Sequence, residues 1–145
     1  MSGAANQTIV HGSSVAVAGQ GALILGPSGA GKSALALRLM ALGATLIADD
    51  RSVLTLKGNE VQASAPEAIK GKIEARGIGI LEVPCTDSAP IGLVIDLSQV
   101  STDRLPPARH HNLLGVELPC LWRVDHGHFP DAILLYLRHL AIQRG

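Results

Sequence analysis

The hydrophobic pattern of this chain consists of short apolar or alternating runs that are separated by glycine-containing turns, which is typical of an α/β protein. Residues 33–42 place Leu35, Leu39 and Leu42 on one helical face, and Gly43 follows as a suitable stop, so a helix is predicted there. Residues 131–142 carry a second helical stripe, Ile133, Leu134, Leu137 and Leu140. Strands are predicted at 10–17, 22–25, 45–48, 52–56, 61–63, 77–83, 91–97 and 116–124.

The remaining stretches are expected to be less regular. Residues 1–8 are small and polar, which predicts a loose terminus, and residues 19–21 predict a turn. Residues 66–75 are interpreted as a short helix or helical turn, and the polar, proline-containing residues 104–111 as a loop. Because no internal repeat or linker stands out, residues 1–145 are predicted to form a single domain.

Composition excludes several classes of function. Twelve basic residues balance twelve acidic ones, and aromatic residues make up only 2%, so neither the basic excess nor the stacking surface of a nucleic-acid binder is expected. The chain has no signal-peptide pattern and no apolar run near the roughly 18 residues of a membrane span. A cytoplasmic protein without a membrane partner is predicted. Cys85 and Cys120 stand alone, which predicts two reduced, buried thiols.

One motif points directly to chemistry. The pattern G-x-x-x-x-G-K-S follows a predicted buried strand and begins a predicted helix, so its backbone N–H groups and the helix N-terminus favour phosphate binding. Its lysine can reach the outer phosphates of a nucleoside triphosphate, and its serine hydroxyl can bind Mg²⁺. The predicted nucleotide-binding residues are Gly26, Pro27, Ser28, Gly29, Ala30, Gly31, Lys32, Ser33 and the following Ala34.

Carboxylates decide which reaction a phosphate loop supports. Asp49 and Asp50 follow the predicted strand 45–48, and adjacent carboxylates in such a place need a metal or another cation nearby. One can serve Mg²⁺ while the other accepts the proton of an attacking hydroxyl. The residues alone leave that division open. Asp96, at the end of another strand, is expected only to cap the next turn.

Three further residues are weaker candidates. Glu74 and Arg76 lie two apart, hence on one side of an extended segment, and suit either a metal ligand with a phosphate clamp or a surface ion pair. His11 by itself favours a structural role. The pairs His110-His111 and His126-x-His128 lack a third ligand at metal-binding spacing.

These motifs occur in one order: His11-Gly12, the loop 26–33, Ala48-Asp49-Asp50, Ala65-Pro66-Glu67, and then Glu74 to Ile80. This order resembles the catalytic domain of HPr serine kinase/phosphorylase over about residues 10–119. The resemblance implies an α/β phosphate-loop kinase domain, akin to phosphoenolpyruvate carboxykinase, with a mixed sheet and flanking helices. It also implies ATP and Mg²⁺ as cofactors, HPr as the protein substrate, and a homo-oligomer, specifically a hexamer.

The resemblance assigns roles to matching residues. Lys32 would bind the β- and γ-phosphates, and Ser33 and Glu74 would hold Mg²⁺. Asp49 would be the general base that activates the substrate serine, with Asp50 supporting it beside the metal. His11 and Arg76 would lie close to the transferred phosphate.

The sequence departs from the family pattern in three places, of which the last is the C-terminal helix at residues 131–142, which does not match the family well. The family's usual N-terminal domain is expected to be absent, as in the short form of alphaproteobacteria. Residues 124–129 read V-D-H-G-H-F, where the family has a V-R-P-G-R-N type segment, and the missing arginines argue against the reverse phosphorolysis. Two alternatives therefore stand beside the kinase: a nucleotide-dependent regulatory module with little turnover, and a kinase for a different substrate.

Overall fold

The computed structural model describes residues 6–144 and shows an α/β fold with a mixed sheet and flanking helices, as predicted. A short 3-10 turn, Glu67–Ile69, lies between the fifth and sixth strands. The helices are α1 (Lys32–Ala41) and α2 (Phe129–Arg144); the strands are β1 (Gln7–Val17), β2 (Gln20–Leu25), β3 (Thr45–Ala48), β4 (Arg51–Lys57), β5 (Glu60–Ser64), β6 (Lys72–Ala75), β7 (Gly79–Glu82), β8 (Ala89–Val100), β9 (His110–Leu113) and β10 (Val116–Arg123).

The central part of the sheet has the order β3-β1-β2-β8-β10-β9. Strands β2, β8 and β10 are parallel, and β3 points the same way because β1 is antiparallel to both β2 and β3. The first half of β1 pairs with β4, which continues through β5 to the start of β8. As a result, four strands end at one edge of the sheet, where α/β proteins bind their ligands.

Both faces of this sheet are covered by apolar side chains. Along β2, Ala22 and Ile24 face α1 and α2, whereas Leu23 faces the β4–β5 layer, as the alternation of a strand requires. Leu23, Ile24 and Leu39 are fully buried. Each such side chain contributes about 1.5–3 kcal/mol by leaving water, so the core holds the central strands firmly in place.

Glycines shape the two ends of α1. Gly31 is its N-cap with a φ of 95°, and Gly43, with a φ of 117°, follows the C-cap Leu42 and donates its N–H to the Met40 carbonyl at 3.0 Å. These left-handed conformations suit glycine, which has no Cβ. The predicted helix stop at Gly43 is confirmed.

Several predicted elements were wrong or displaced. Residues 66–75 form a 3-10 turn and then strand β6, because Ile73 and Ala75 alternate into the core while β6 pairs with β7. The predicted loop 104–111 ends in strand β9, which pairs with β10. The turn predicted at 19–21 lies at Ala18-Gly19, since Gln20 already pairs with Val17. Of the predicted loose terminus, residues 1–5 lie outside the described range and Gln7 is already in β1.

Two predictions about single side chains have opposite outcomes. Asp96 caps its own turn, accepting hydrogen bonds from the Ser98 N–H at 2.9 Å and the Ser98 hydroxyl at 2.6 Å, as predicted. Cys120 is buried, which raises the pKa of its thiol, but Cys85 is exposed in the connection after β7. The prediction of two buried thiols was therefore wrong for Cys85. Neither described helix is long and apolar enough to cross a membrane.

Candidate active site

The phosphate loop joins β2 to α1 at the edge where the parallel strands end. Gly26, Gly29 and Gly31 all have positive φ values, 156°, 84° and 95°. A Cβ on Gly26 would lie 3.1 Å from the Cβ atoms of Ala30 and Leu97, so a larger residue would distort the loop. The Lys32 ammonium donates to the Gly26 carbonyl at 2.7 Å and the Pro27 carbonyl at 3.1 Å. The predicted loop thus combines strand, loop and helix with a positive charge at its mouth.

Asp49 is buried at the end of β3 and directly faces the phosphate loop. Its Oδ1 accepts hydrogen bonds from the Ser33 hydroxyl at 2.6 Å and the Ser13 hydroxyl at 2.9 Å. Its Oδ2 accepts one from the Glu74 N–H at 3.2 Å. Both oxygens are therefore engaged, and this carboxylate connects β1, α1 and β6 at one point.

Asp50 has a different environment, because its side chain is 62% exposed. Its backbone φ of 68° is rare for a residue other than glycine, and the Arg51 N–H closes a three-residue turn on the Asp49 carbonyl at 2.7 Å. The Asp50 N–H donates to the Ser13 hydroxyl at 3.1 Å. A strained backbone that presents a carboxylate to solvent is a frequent feature of functional sites.

His11 and Arg51 lie on either side of the Asp50 carboxylate. They are opposite each other in the β1–β4 register, with His11 Nδ1 3.9 Å from one Asp50 oxygen and Arg51 Nε 4.0 Å from the other. The pairing of β1 with β4 thus places His11 beside Asp50, while its predicted closeness to the transferred phosphate stays a prediction. Arg51 was not among the sequence-predicted site residues.

The β6–β7 hairpin brings the Glu74 backbone to the site, but it separates the two candidates that it carries. Glu74 lies in β6, and Arg76 lies in the exposed turn before β7. The two residues are therefore not on one side of an extended segment, as their spacing had indicated, because the chain turns between them. Among the contacts of residues 6–144, none places the Arg76 side chain on the phosphate loop.

The oxygen groups at this site suit a Mg²⁺ ion that is bound jointly by the protein and by nucleotide phosphates. They suit a metal ion that is bound by protein side chains alone less well. Among residues 6–144 there is no group of three or more His, Cys, Asp or Glu side chains that could hold a metal ion. Mg²⁺ is usually bound by one or two protein oxygens together with substrate phosphates and water. Ser33 gives its proton to Asp49, so its oxygen lone pairs remain available to a cation beside the loop.

A cavity of about 490 Å³ lies on the other side of the phosphate loop. We call it the α1–α2 cavity. Ala30 and Gly31 form its end at the loop, and Leu35 and Arg38 of α1 line one wall. The opposite wall is made of Leu97, the segment 123–127, and Phe129 and Pro130 at the start of α2.

Sequence reasoning missed Ser13 and the α1–α2 cavity as well as Arg51. Ser13 is fully buried in β1, and the sequence signal for it was only a serine next to Gly12 in a predicted strand. Its neighbour Ser14 shares a hydrogen bond with the Ser52 hydroxyl at 2.8 Å, which joins β1 to β4, while Ser13 itself joins β1 to Asp49 after β3. Only strand register shows which partners these hydroxyls have.

Fold and site together define a phosphate-loop domain of the kinase-like type. The sequence profile of the HPr Serine kinase C-terminal domain matches residues 2–122, and the chain belongs to that family. The resemblance inferred from the motifs is thereby confirmed.

Curated relatives in the family agree with this assignment. The chain is 41% identical over 121 residues to the HPr kinase/phosphorylase of Caldanaerobacter subterraneus subsp. tengcongensis, covering 78% of this chain and 38% of the relative. It is 44% identical over 124 residues to the HPr kinase/phosphorylase of Caldicellulosiruptor bescii, covering 77% of this chain and 40% of the relative. The chain thus spans about two fifths of the length of these relatives.

A solved structure confirms the fold. The Hpr(Ser) kinase/phosphatase from Coxiella burnetii superposes with a TM-score of 0.78, covering 94% of this chain and 98% of that one. At 24% sequence identity this likeness concerns the fold, and it confirms the predicted HPr kinase type of α/β architecture.

Proposed function

We propose that this chain transfers the γ-phosphoryl group of ATP to a serine hydroxyl of an HPr-type phosphocarrier protein. The observation that carries the proposal is the 2.6 Å hydrogen bond between Ser33 of the phosphate loop and Asp49, which puts the Asp49-Asp50 pair beside the loop. The family and the names of its relatives supply the protein substrate. Gly26 to Ala34 would hold the phosphates.

The geometry supports the opposite assignment of roles to Asp49 and Asp50 from the one that the family resemblance implied. Asp49 is buried and both of its oxygens accept hydrogen bonds, so it fixes Ser33 and the Glu74 backbone at the metal side. Asp50 is exposed and its carboxylate is open to an incoming hydroxyl. We therefore assign the general base to Asp50 and a positioning role to Asp49.

The reaction is then a direct displacement. Asp50 accepts the proton as the serine oxygen bonds to the γ-phosphorus, and the bond from that phosphorus to the bridging oxygen breaks, leaving ADP. Lys32 neutralises charge on the outer phosphates, and His11 and Arg51 lie on either side of the Asp50 carboxylate. Mg²⁺, held by Ser33 and by Glu74 or a water, would supply further neutralisation of the phosphates. Arg76 stays a predicted phosphate contact.

Phosphorolysis is proposed to be weak, since residues 124–129 contain no arginine. Assembly as a homo-oligomer stays a prediction of the resemblance. A cytoplasmic location and a single-domain organisation stay predictions of the sequence pattern.

The proposal is tested by mass spectrometry of HPr after incubation with the protein, Mg²⁺ and ATP. One added phosphate on a serine is expected with the native protein, and none with Lys32→Ala. HPr in which that serine is replaced by alanine serves as the substrate control. ATP binding without any added phosphate would overturn the HPr assignment and favour a regulatory module or a different substrate.

A further inference from the structure

The α1–α2 cavity begins where the phosphate loop ends. Ala30 and Gly31 of the loop line it, and Gly31, Leu35 and Arg38 follow at spacings of four and three, which places them on one flank of α1. Its volume of about 490 Å³ lies within the usual range of small-molecule sites, roughly 300–1,000 Å³. The cavity is therefore a continuous extension of the phosphate site.

Strand order shows which end of a nucleotide the cavity would receive. The loop follows β2, in the middle of the order β3-β1-β2-β8-β10. Asp49 and Asp50 follow β3 on one side of the loop, whereas Leu97 of β8 and Arg123 of β10 line the cavity on the other side. A triphosphate whose γ-phosphate faces Asp50 therefore points its α-phosphate, and whatever is attached to it, toward the cavity.

The cavity wall has the chemistry of a nucleoside site. Partly buried Leu35 lines it together with the outer atoms of Leu97 and Phe129, which are otherwise buried, and these apolar atoms suit one face of a flat base. Beyond them, the Asp125 carboxylate is held by the Arg123 guanidinium, Nε to Oδ1 at 2.9 Å, and is 62% exposed. A fixed carboxylate with free lone pairs is the group that commonly accepts hydrogen bonds from ribose hydroxyls.

We infer that the α1–α2 cavity binds the nucleoside half of the phosphate donor, with Asp125 accepting hydrogen bonds from the ribose hydroxyls and Arg123 positioning that carboxylate. The inference rests on the proposed kinase function. It adds that the donor is recognised as a ribonucleotide and not only by its phosphates, through a segment in which this chain differs from the V-R-P-G-R-N pattern.

The test is calorimetric titration with three probes, ATP, 2′,3′-dideoxy-ATP and inorganic tripolyphosphate, each with Mg²⁺. For the native protein, we expect ATP to bind about tenfold more tightly than the dideoxy nucleotide, the scale of a lost hydrogen bond to a charged group. In Asp125→Asn, ATP should bind about tenfold more weakly, the difference between the two nucleotides should shrink, and tripolyphosphate should bind as before. Asp131→Asn removes a carboxylate charge from an exposed position in the first turn of α2, next to the residues that line the cavity. It should leave the affinity for all three probes unchanged.

The outcomes separate the two proposals. Equal losses for ATP and tripolyphosphate in Asp125→Asn, or no loss for ATP, would overturn the nucleoside site while leaving the phosphate loop intact. Failure of the native protein to bind either ATP or tripolyphosphate would instead overturn the proposed kinase function, and the nucleoside inference with it.

Discussion

Asp49 and Asp50 are adjacent residues whose side chains have opposite environments. Asp49 is 7% exposed and accepts hydrogen bonds from Ser13, Ser33 and the Glu74 backbone. Asp50 is turned outward by a left-handed backbone conformation. One peptide unit therefore separates a positioning carboxylate from an accessible one, which is what a base next to a phosphate loop requires.

Substituting each aspartate by asparagine should give different defects. Asp50→Asn is expected to lower kcat by about 10²–10⁴-fold, because the proton acceptor is lost, and to leave ATP affinity nearly unchanged. Asp49→Asn brings an NH₂ group against groups that donate to Asp49, which should cost about 1–3 kcal/mol of folding free energy and weaken ATP binding. Calorimetry, urea unfolding and single-turnover transfer assays measure these effects. Full transfer activity in Asp50→Asn, with loss confined to the chemical step in Asp49→Asn, would return the base role to Asp49.

Local pattern was sufficient for the phosphate loop but insufficient for its surroundings. Gly26 to Ser33 are consecutive, so their spacing alone specifies the loop, strand and helix. Ser13 and Arg51 join the site only through the pairing of β1 with β3 and β4, partners more than thirty residues away. A sequence read residue by residue contains no direct information about such register.

At the scale of elements, the β6–β7 hairpin shows how a non-local partner overrides a local preference. Glu67–Ile69 do form a helical turn, which is consistent with the short helix or helical turn predicted at 66–75. Ile73 and Ala75 nevertheless alternate with exposed Lys72 and Glu74, and Ile73 pairs with Leu81 across the hairpin. With Ile73 and Ala75 packed in the core, the Glu74 N–H between them donates a hydrogen bond to Asp49.

The hairpin should depend strongly on Ile73 for its attachment to the core. Ile73 is 1% exposed and packs in the cluster that contains α1, whereas Ile78 at the hairpin turn is 79% exposed. Ile73→Ala is expected to cost about 2–4 kcal/mol in urea unfolding, and Ile78→Ala to stay within about 0.5 kcal/mol. Similar effects of the two substitutions would mean that the hairpin is not anchored through Ile73.

At the scale of the whole molecule, the sheet places its chemistry at one edge. The carboxyl end of β2 leads to the phosphate loop, and that of β3 leads to the aspartate pair. The carboxyl-terminal parts of β8 and β10 contribute Leu97 and Arg123 to the wall of the α1–α2 cavity. The α/β class and most of these strands were predicted from apolar runs, and the mixed sheet from the family resemblance. The lateral order of the strands was not predicted, because it depends on long-range pairing that no local run encodes.

A site built from so many separate elements should couple ligand binding to global stability. A ligand that binds only the native state adds about 2.7 kcal/mol when present at a hundred times its Kd. For a chain of 145 residues this corresponds to a rise in Tm of roughly 5–10 °C with ATP and Mg²⁺.

The rise should disappear in Lys32→Ala, which removes the ammonium at the mouth of the loop, and persist in Lys57→Ala, which removes an exposed lysine at the end of β4. Differential scanning calorimetry of the three proteins, with and without nucleotide, measures it. An equal rise in Lys32→Ala would show that ATP stabilises the fold from outside the phosphate loop. Absence of any rise in the native protein at saturating ATP would show that the loop does not bind the nucleotide, since tight binding to the native state alone must raise Tm.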